Sequence, residues 1–241
     1  EIVKIASVCG FYRFTKLLCS FAEKISLPSY VPLVYGSLSI FKLFYNKEKE
    51  SSNKDYDYLL SLAIERNYID IIHYIIEEKL FNPEENKASH FTFIDTSVSL
   101  KNPSIFNYIE EKFTLDDLKN KYLYSKNKFF EMLKKGCVSG NIEAVEKITD
   151  FIIKNYPKEQ FTNYFVVAGS SGHEEICQYF INKKVALSVS FILQNYKVLA
   201  SKIGKTIIGF LNSVDQKTKE AFSNFFLNEA IIKGNVNLVD S

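Results

Sequence analysis

The stretches AIERNYIDIIHYI (63–75), GCVSGNIEAVEKI (136–148) and AGSSGHEEICQYF (168–180) share one layout: a small residue, a glycine or asparagine four on, then an apolar pair and a further apolar position. With that glycine place as an anchor, the register runs through Gly10, Gly36, Asn67, Lys101, Gly140, Gly172, Gly204 and Gly234, at intervals of 26, 31, 34, 39, 32, 32 and 30 residues. Four before the anchors stand Ala6, Pro32, Ala63, Ser97, Gly136, Ala168, Ala200 and Ala230, so seven of eight are Ala, Gly or Ser. A period of about 30 residues implies stacked supersecondary units, none of which buries its own apolar face alone.

Each unit reads as a helix, a tight turn at the anchor, and a second helix. Glycine or asparagine suits a left-handed residue at the helix end. A small residue one turn earlier lets neighbouring helices approach closely. Apolar residues four, five and eight after the anchor share one face of the second helix: Ile40 and Phe41, Ile71 and Ile72, Ile105 and Phe106, Ala144 and Val145, Leu238 and Val239. Three segments break the register. Pro32 falls inside the expected first helix of the second unit, and 46–57 is charged and polar and reads as a solvated loop. The segment 113–128 lengthens the fourth interval, and there Thr114 reads as an N-cap ahead of Asp116 and Asp117, opening an extra helix.

The A-x-x-x-G-H core at Ala168, Gly172 and His173, the Gly-Asn variants at Gly140-Asn141 and Gly234-Asn235, and the small residues four before each anchor resemble the ankyrin repeat. The resemblance is strong over 127–241 and 58–79 and weaker elsewhere. No unit carries the T-P-L-H segment; its place is held by Pro28 and by Val3, Leu60, Ile94, Leu133, Phe165 and Leu227, seven before their anchors. The G-A-D-V-N hairpin between units is missing as well. The resemblance therefore implies an all-α chain: one α-solenoid of helix-turn-helix ankyrin-like repeats over 1–241, with irregular loops in place of most hairpins.

It further implies a non-enzymatic protein–protein interaction scaffold, because a solenoid offers a long concave surface and no deep pocket. In ankyrin-like repeats the two residues before the turn glycine face the groove. Carried over, these include Tyr35, Glu65, Arg66, Ser99, Leu100, Ser139, Ser170, Ser171, Lys202 and Lys233, with Val138 and Ile203 among the remaining places. The row mixes charges, hydroxyls and apolar groups, which argues for a protein partner over a nucleic acid.

Composition agrees with a packed, unspecialised surface. The formal charge is +2, from 30 basic and 28 acidic residues, and 46% of residues are hydrophobic. The whole-chain argument for a nucleic-acid or membrane partner is weak. The longest uncharged run, Ile25 to Phe41, holds Pro28, Pro32 and four serines and is a poor membrane span. Cys9, Cys19, Cys137 and Cys177 form no CxxC pair and read as reduced core residues of an intracellular, cytoplasmic protein.

No constellation for catalysis stands out, and neither an enzyme nor a cofactor is expected. His173 and Cys177 lie one helical turn apart, but a metal would need two further ligands, and His73 and His90 belong to distant units. Cys177 sits on the apolar stripe, and the resemblance gives His173 a structural hydrogen-bonding role. The IGKT at 203–206 looks like the end of a phosphate loop, yet no strand precedes it and Gly204 is a repeat anchor.

The one local charge feature is 119–135, where Lys119, Lys121, Lys126 and Lys128 are interleaved with Tyr122, Tyr124, Phe129 and Phe130. Lysines for phosphates and aromatics for stacking give an alternative reading, nucleic-acid or anionic-lipid binding through this segment. Inward aromatics with merely solvated lysines are the simpler expectation. The last unit stops at Ser241, before its apolar plus-eight place, so the chain is expected to be part of a longer array.

Overall fold

The computed structural model describes residues 12–21, 36–48, 56–78 and 87–213, with Ile5, Gln216, Lys219 and Glu220. All of its regular structure is helical among these residues. The chain forms two compact units that divide between Lys126 and Asn127.

The first unit holds α1 (Tyr12–Phe21), α2 (Leu38–Glu48), α3 (Tyr56–Glu65), α4 (Ile69–Glu77), α5 (Lys87–Val98), α6 (Pro103–Lys112) and α7 (Leu115–Asn120). Here α3 packs on α4 and α5, α5 on α6, and α4 on α2. The second unit holds α8 (Lys126–Ser139), α9 (Ile142–Asn155), α10 (Thr162–Ser171), α11 (Glu174–Asn182), α12 (Val189–Gln194) and α13 (Tyr196–Ser213). In it α10 packs on α11 and α13, and α11 on α9. Within each unit, first helices therefore neighbour first helices and second helices neighbour second helices.

The periodic positions form the core. Ala63, Ser97, Gly136 and Ala168, four before their anchors, are buried, as are Leu60, Ile94, Leu133 and Phe165, seven before. The stripe of the second helices is buried too: Ile71, Ile72 and Ile75; Ile105, Phe106 and Ile109; Ala144, Val145 and Ile148; Ile176, Cys177 and Phe180. Residues three and four apart on a helix share a face, so positions four, five and eight after the anchor form one stripe that is covered as a whole.

Four anchors are left-handed: Gly36 (φ 67°), Asn67 (61°), Gly140 (79°) and Gly172 (85°). Two expected anchors are not. Lys101 stays out of that region, where a β-carbon is costly. Instead α5 tightens, with Ser99 N–H donating to Thr96 O at 3.0 Å and Leu100 N–H to Ser97 O at 3.2 Å. Gly204 lies within α13, which breaks one residue earlier, at Ile203 (φ −132°, ψ 35°). The cause is the fit of α13 against α10. A β-carbon on Gly169 would lie 2.5 Å from Leu199 Cδ2 and 2.7 Å from Ile203 Cδ1, so these buried side chains occupy the notch that the glycine leaves.

The residue after each anchor starts the second helix in one of two ways. Asn102 and Asn141 cap it, accepting from Ser104 N–H and Ala144 N–H, each at 3.1 Å. Tyr68 and His173 make no cap; their rings lie over the previous anchor, where a β-carbon on Gly36 or Gly140 would come within 2.5 Å of them. Asn102 also donates from Nδ2 to Asn67 Oδ1 at 3.1 Å. Within each compact unit, the turns of neighbouring helix pairs are thus in direct contact.

The irregular segments are more helical than their composition implies. The polar stretch 46–57 begins on α2, which runs to Glu48, and ends on α3, which starts at Tyr56; 49–55, like Pro32, lie outside the described residues. The insertion contains α7, capped by Thr114 Oγ1, which accepts from Asp117 N–H at 3.0 Å.

Candidate functional site

The turn-edge row is mostly exposed. Glu65, Arg66 and Ser99 are exposed and Leu100 is half-buried in the first unit; Ser170, Ser171 and Lys202 are exposed and Ser139 is half-buried in the second. Tyr35 and Lys233 lie outside the described residues. Val138 is 54% exposed although apolar, whereas Ile203 points into the core. The inversion at Ile203 follows from the Gly169 notch.

Three serines of the row are engaged with their own helices. Ser99 Oγ donates to Asp95 O at 3.2 Å, Ser139 Oγ to Gly136 O at 3.2 Å and Ser170 Oγ to Val167 O at 3.0 Å. These bonds turn the hydroxyls back onto the last turn of their own helices, and Gly136 O also accepts from Gly140 N–H at 3.0 Å. What the edge offers a ligand is the charge of Glu65, Arg66 and Lys202 and the apolar surface of Leu100 and Val138.

The lysine-rich segment turns its aromatics inward. Tyr122 meets the His90 ring edge-on at 4.9 Å, Tyr124 lies on Phe91 at 4.8 Å, and Phe129 is fully buried against Phe151 at 4.6 Å. Phe130 stacks on Tyr164 at 5.9 Å. None of these rings is left as a platform for bases. Lys121 pairs with Asp117 at 3.0 Å and Lys128 with Glu131 at 3.1 Å; Lys126 is exposed and Lys119 half-buried.

His173 and Cys177 belong to the scaffold. The Nε2 atom of His173 is 2.9 Å from Val138 O, so that nitrogen carries the proton and donates. Cys177 is buried and donates to Phe165 O at 3.5 Å; burial pushes its thiol up to about 12 and raises that of buried Cys137 further. Both thiols are free, and no three His, Cys, Asp or Glu side chains gather as a metal-holding group among the described residues. Of IGKT, Ile203 is the break within α13 and Gly204 to Thr206 continue the helix beyond it, and Thr206 Oγ1 donates to Glu174 Oε1.

A recurrent clamp lies on the second helices. In the first unit Tyr108 OH donates to Glu77 Oε1 at 2.8 Å while Lys112 Nζ stands 3.4 Å from the same oxygen. In the second, Tyr179 OH donates to Asp150 Oδ1 at 3.2 Å and Lys183 Nζ lies 2.6 Å from it. Counted from their anchors, both tyrosines are at plus seven, both lysines at plus eleven, and both carboxylates at plus ten of the preceding unit. The hydrogen bond from Tyr108, aided by Lys112, holds the Glu77 carboxyl below its ordinary range. Burial, then the facing carboxylates, push both phenols well above theirs. The sequence carried a signal for the clamp: Tyr and Lys four apart, recurring in register, with an acid in the unit before.

Comparison with protein-family models, with curated proteins and with solved structures gives no match to this chain. No helix among the described residues is long and apolar enough to cross a membrane.

Proposed function

We propose that this chain is a non-enzymatic protein-interaction scaffold built as an array of degenerate ankyrin-like repeats. The observation that carries the reading is the turn-edge row. At Asn67, Lys101, Gly140 and Gly172 the two residues before the anchor are exposed or half-buried, while the positions four before and four, five and eight after are buried. Within each unit, a turn edge held by packed helix pairs suits recognition of a partner surface, with Arg66 and Leu100 as the anchoring side chains of the first unit and Val138 of the second. Support for an intracellular setting comes from Cys137 and Cys177, both buried and unpaired. The mixed charge of the row favours a protein partner.

The test is competitive capture. The intact chain is immobilised, retained proteins are identified, and each is re-assayed against two variants. Arg66→Ala with Leu100→Ala is expected to abolish retention of the true partner, while Lys119, Lys121, Lys126 and Lys128 changed to Ala leave it unchanged. Retention that survives the first variant and vanishes in the second refutes the turn-edge reading.

A further inference from the structure

Leu123 occupies the conformation least suited to it. Its backbone is left-handed (φ 54°), where a β-carbon is strained. Its side chain is 82% exposed, so no burial offsets that strain. The backbone bends there because Tyr124 N–H reaches back to Leu118 O at 3.2 Å. On either side the chain is pinned, by Tyr122 against His90 at 4.9 Å and by Tyr124 against Phe91 at 4.8 Å. The leucine is thus held outward at a fixed tip. Glycine or asparagine would satisfy the backbone better, and any polar residue the solvent.

Lysines flank the tip along the chain, and Asp117 is the acid recorded beside them. From Lys119 to Lys126 the chain holds three lysines and no acidic residue, with Lys121 and Lys126 exposed. Lys121 also pairs with Asp117 at 3.0 Å on its own helix end, a surface pair of the kind that exchanges readily. An apolar tip flanked in sequence by lysines fits a ligand that is anionic at its surface and apolar just beneath. Single-stranded nucleic acid lacks the apolar layer, and the rings that would stack on bases face inward. A protein partner would need about 800 Å² of complementary surface on each side, more than one protruding residue supplies. A bilayer needs no complementary pocket.

We infer that the 119–126 loop is a peripheral membrane contact, with Leu123 entering the interface of an anionic phospholipid surface and Lys119, Lys121 and Lys126 meeting the head groups. Each lysine near such a surface contributes about a factor of five in binding, and a buried leucine about a factor of ten or more. The contact is weak, reversible and salt-sensitive. It is independent of the turn-edge scaffold, since it uses none of those residues.

The test is sedimentation of the full chain with vesicles of phosphatidylcholine alone or mixed with phosphatidylserine. The wild type is expected to bind only the mixed vesicles, and less as salt rises. Leu123→Gly separates the tip from the fold: it relieves the left-handed strain, so the thermal midpoint rises, while vesicle binding falls about tenfold. Lys121→Ala with Lys126→Ala lowers binding without that gain in stability. Equal binding by Leu123→Gly and wild type overturns the proposal. So does absence of wild-type binding to the mixed vesicles, whether or not the chain then binds single-stranded RNA.

Discussion

The ring of His173 lies over Gly140, so close that a β-carbon there would stand 2.5 Å from His173 Cε1 and 2.7 Å from Nδ1. Two constraints meet at this glycine, its left-handed φ of 79° and the ring, which is held by the hydrogen bond to Val138 O. Gly172 bears only the first; its nearest neighbour, Lys202 Cδ, would be 4.0 Å away. Gly172→Ala is therefore expected to cost about 1 to 2 kcal/mol. Gly140→Ala should cost about 1 kcal/mol more, through the displaced ring and its lost bond. Urea unfolding of both variants measures the difference, and equal losses would show that the ring contact carries no energy.

The same repeat geometry makes Ala168 intolerant of size. It is fully buried one turn before Gly172, on the helix that packs against both α11 and α13. Ala168→Leu is expected to lower stability by about 1 to 3 kcal/mol through overpacking. A thermal midpoint unchanged from wild type would mean that the small residue is incidental.

The tyrosine clamps predict a late class of phenols. Tyr108 and Tyr179 are both raised by burial and by facing carboxylates, and Tyr164, by burial first, is pushed up to about 12. A phenol kept neutral by the fold contributes its stability in full below about pH 10 and loses it as pH rises beyond. Glu77 works in the opposite sense: its contribution is complete above the ordinary carboxylate range and is lost as pH falls through its lowered value. In an alkaline absorbance titration, Tyr108→Phe with Tyr179→Phe should remove two phenols from the late class and none from the early one.

His90 sets the acid side of the first unit. It is buried between Phe113 at 4.6 Å and Tyr122 at 4.9 Å, and burial depresses its pKa. Asp57 and Asp117 pull the other way and Lys121 reinforces the depression, without reversing it. A histidine neutral in the fold favours folding fully above about pH 6.5, and that contribution fades as pH falls below it. Proton resonances of His90 should therefore titrate below the unfolded value, and His90→Gln should flatten the fall in stability between neutral and mildly acid pH. An unchanged slope would sink this assignment.

Cys137 and Cys177 are expected to resist a disulfide reagent such as DTNB in the native state and to react once unfolded, since burial raises both thiols and excludes the reagent. Rapid native reaction at either would show that α8 or α11 opens locally.

Helix positions and the buried stripe were legible in the sequence because they rest on local periodicity. Residues four, five and eight after an anchor face one way whatever covers them, so Ile71, Ile105, Val145 and Phe180 had to be core. The cap at Thr114 and the left-handed turns at Gly36, Asn67, Gly140 and Gly172 were equally local. Other features depended on partners far along the chain. The Gly169 notch drew Ile203 inward and moved the break away from Gly204. The clamps joined Tyr108 to Glu77 and Tyr179 to Asp150 between successive helix pairs of the same compact unit. Tyr122 and Tyr124 found His90 and Phe91, which left Leu123 alone at the surface. Sequence by itself determined most helix positions and which face is apolar, since hydrogen bonds and periodicity act over a few residues. Only the tertiary structure decided which side chain fills which gap, because close packing is set by the shapes of two surfaces brought together.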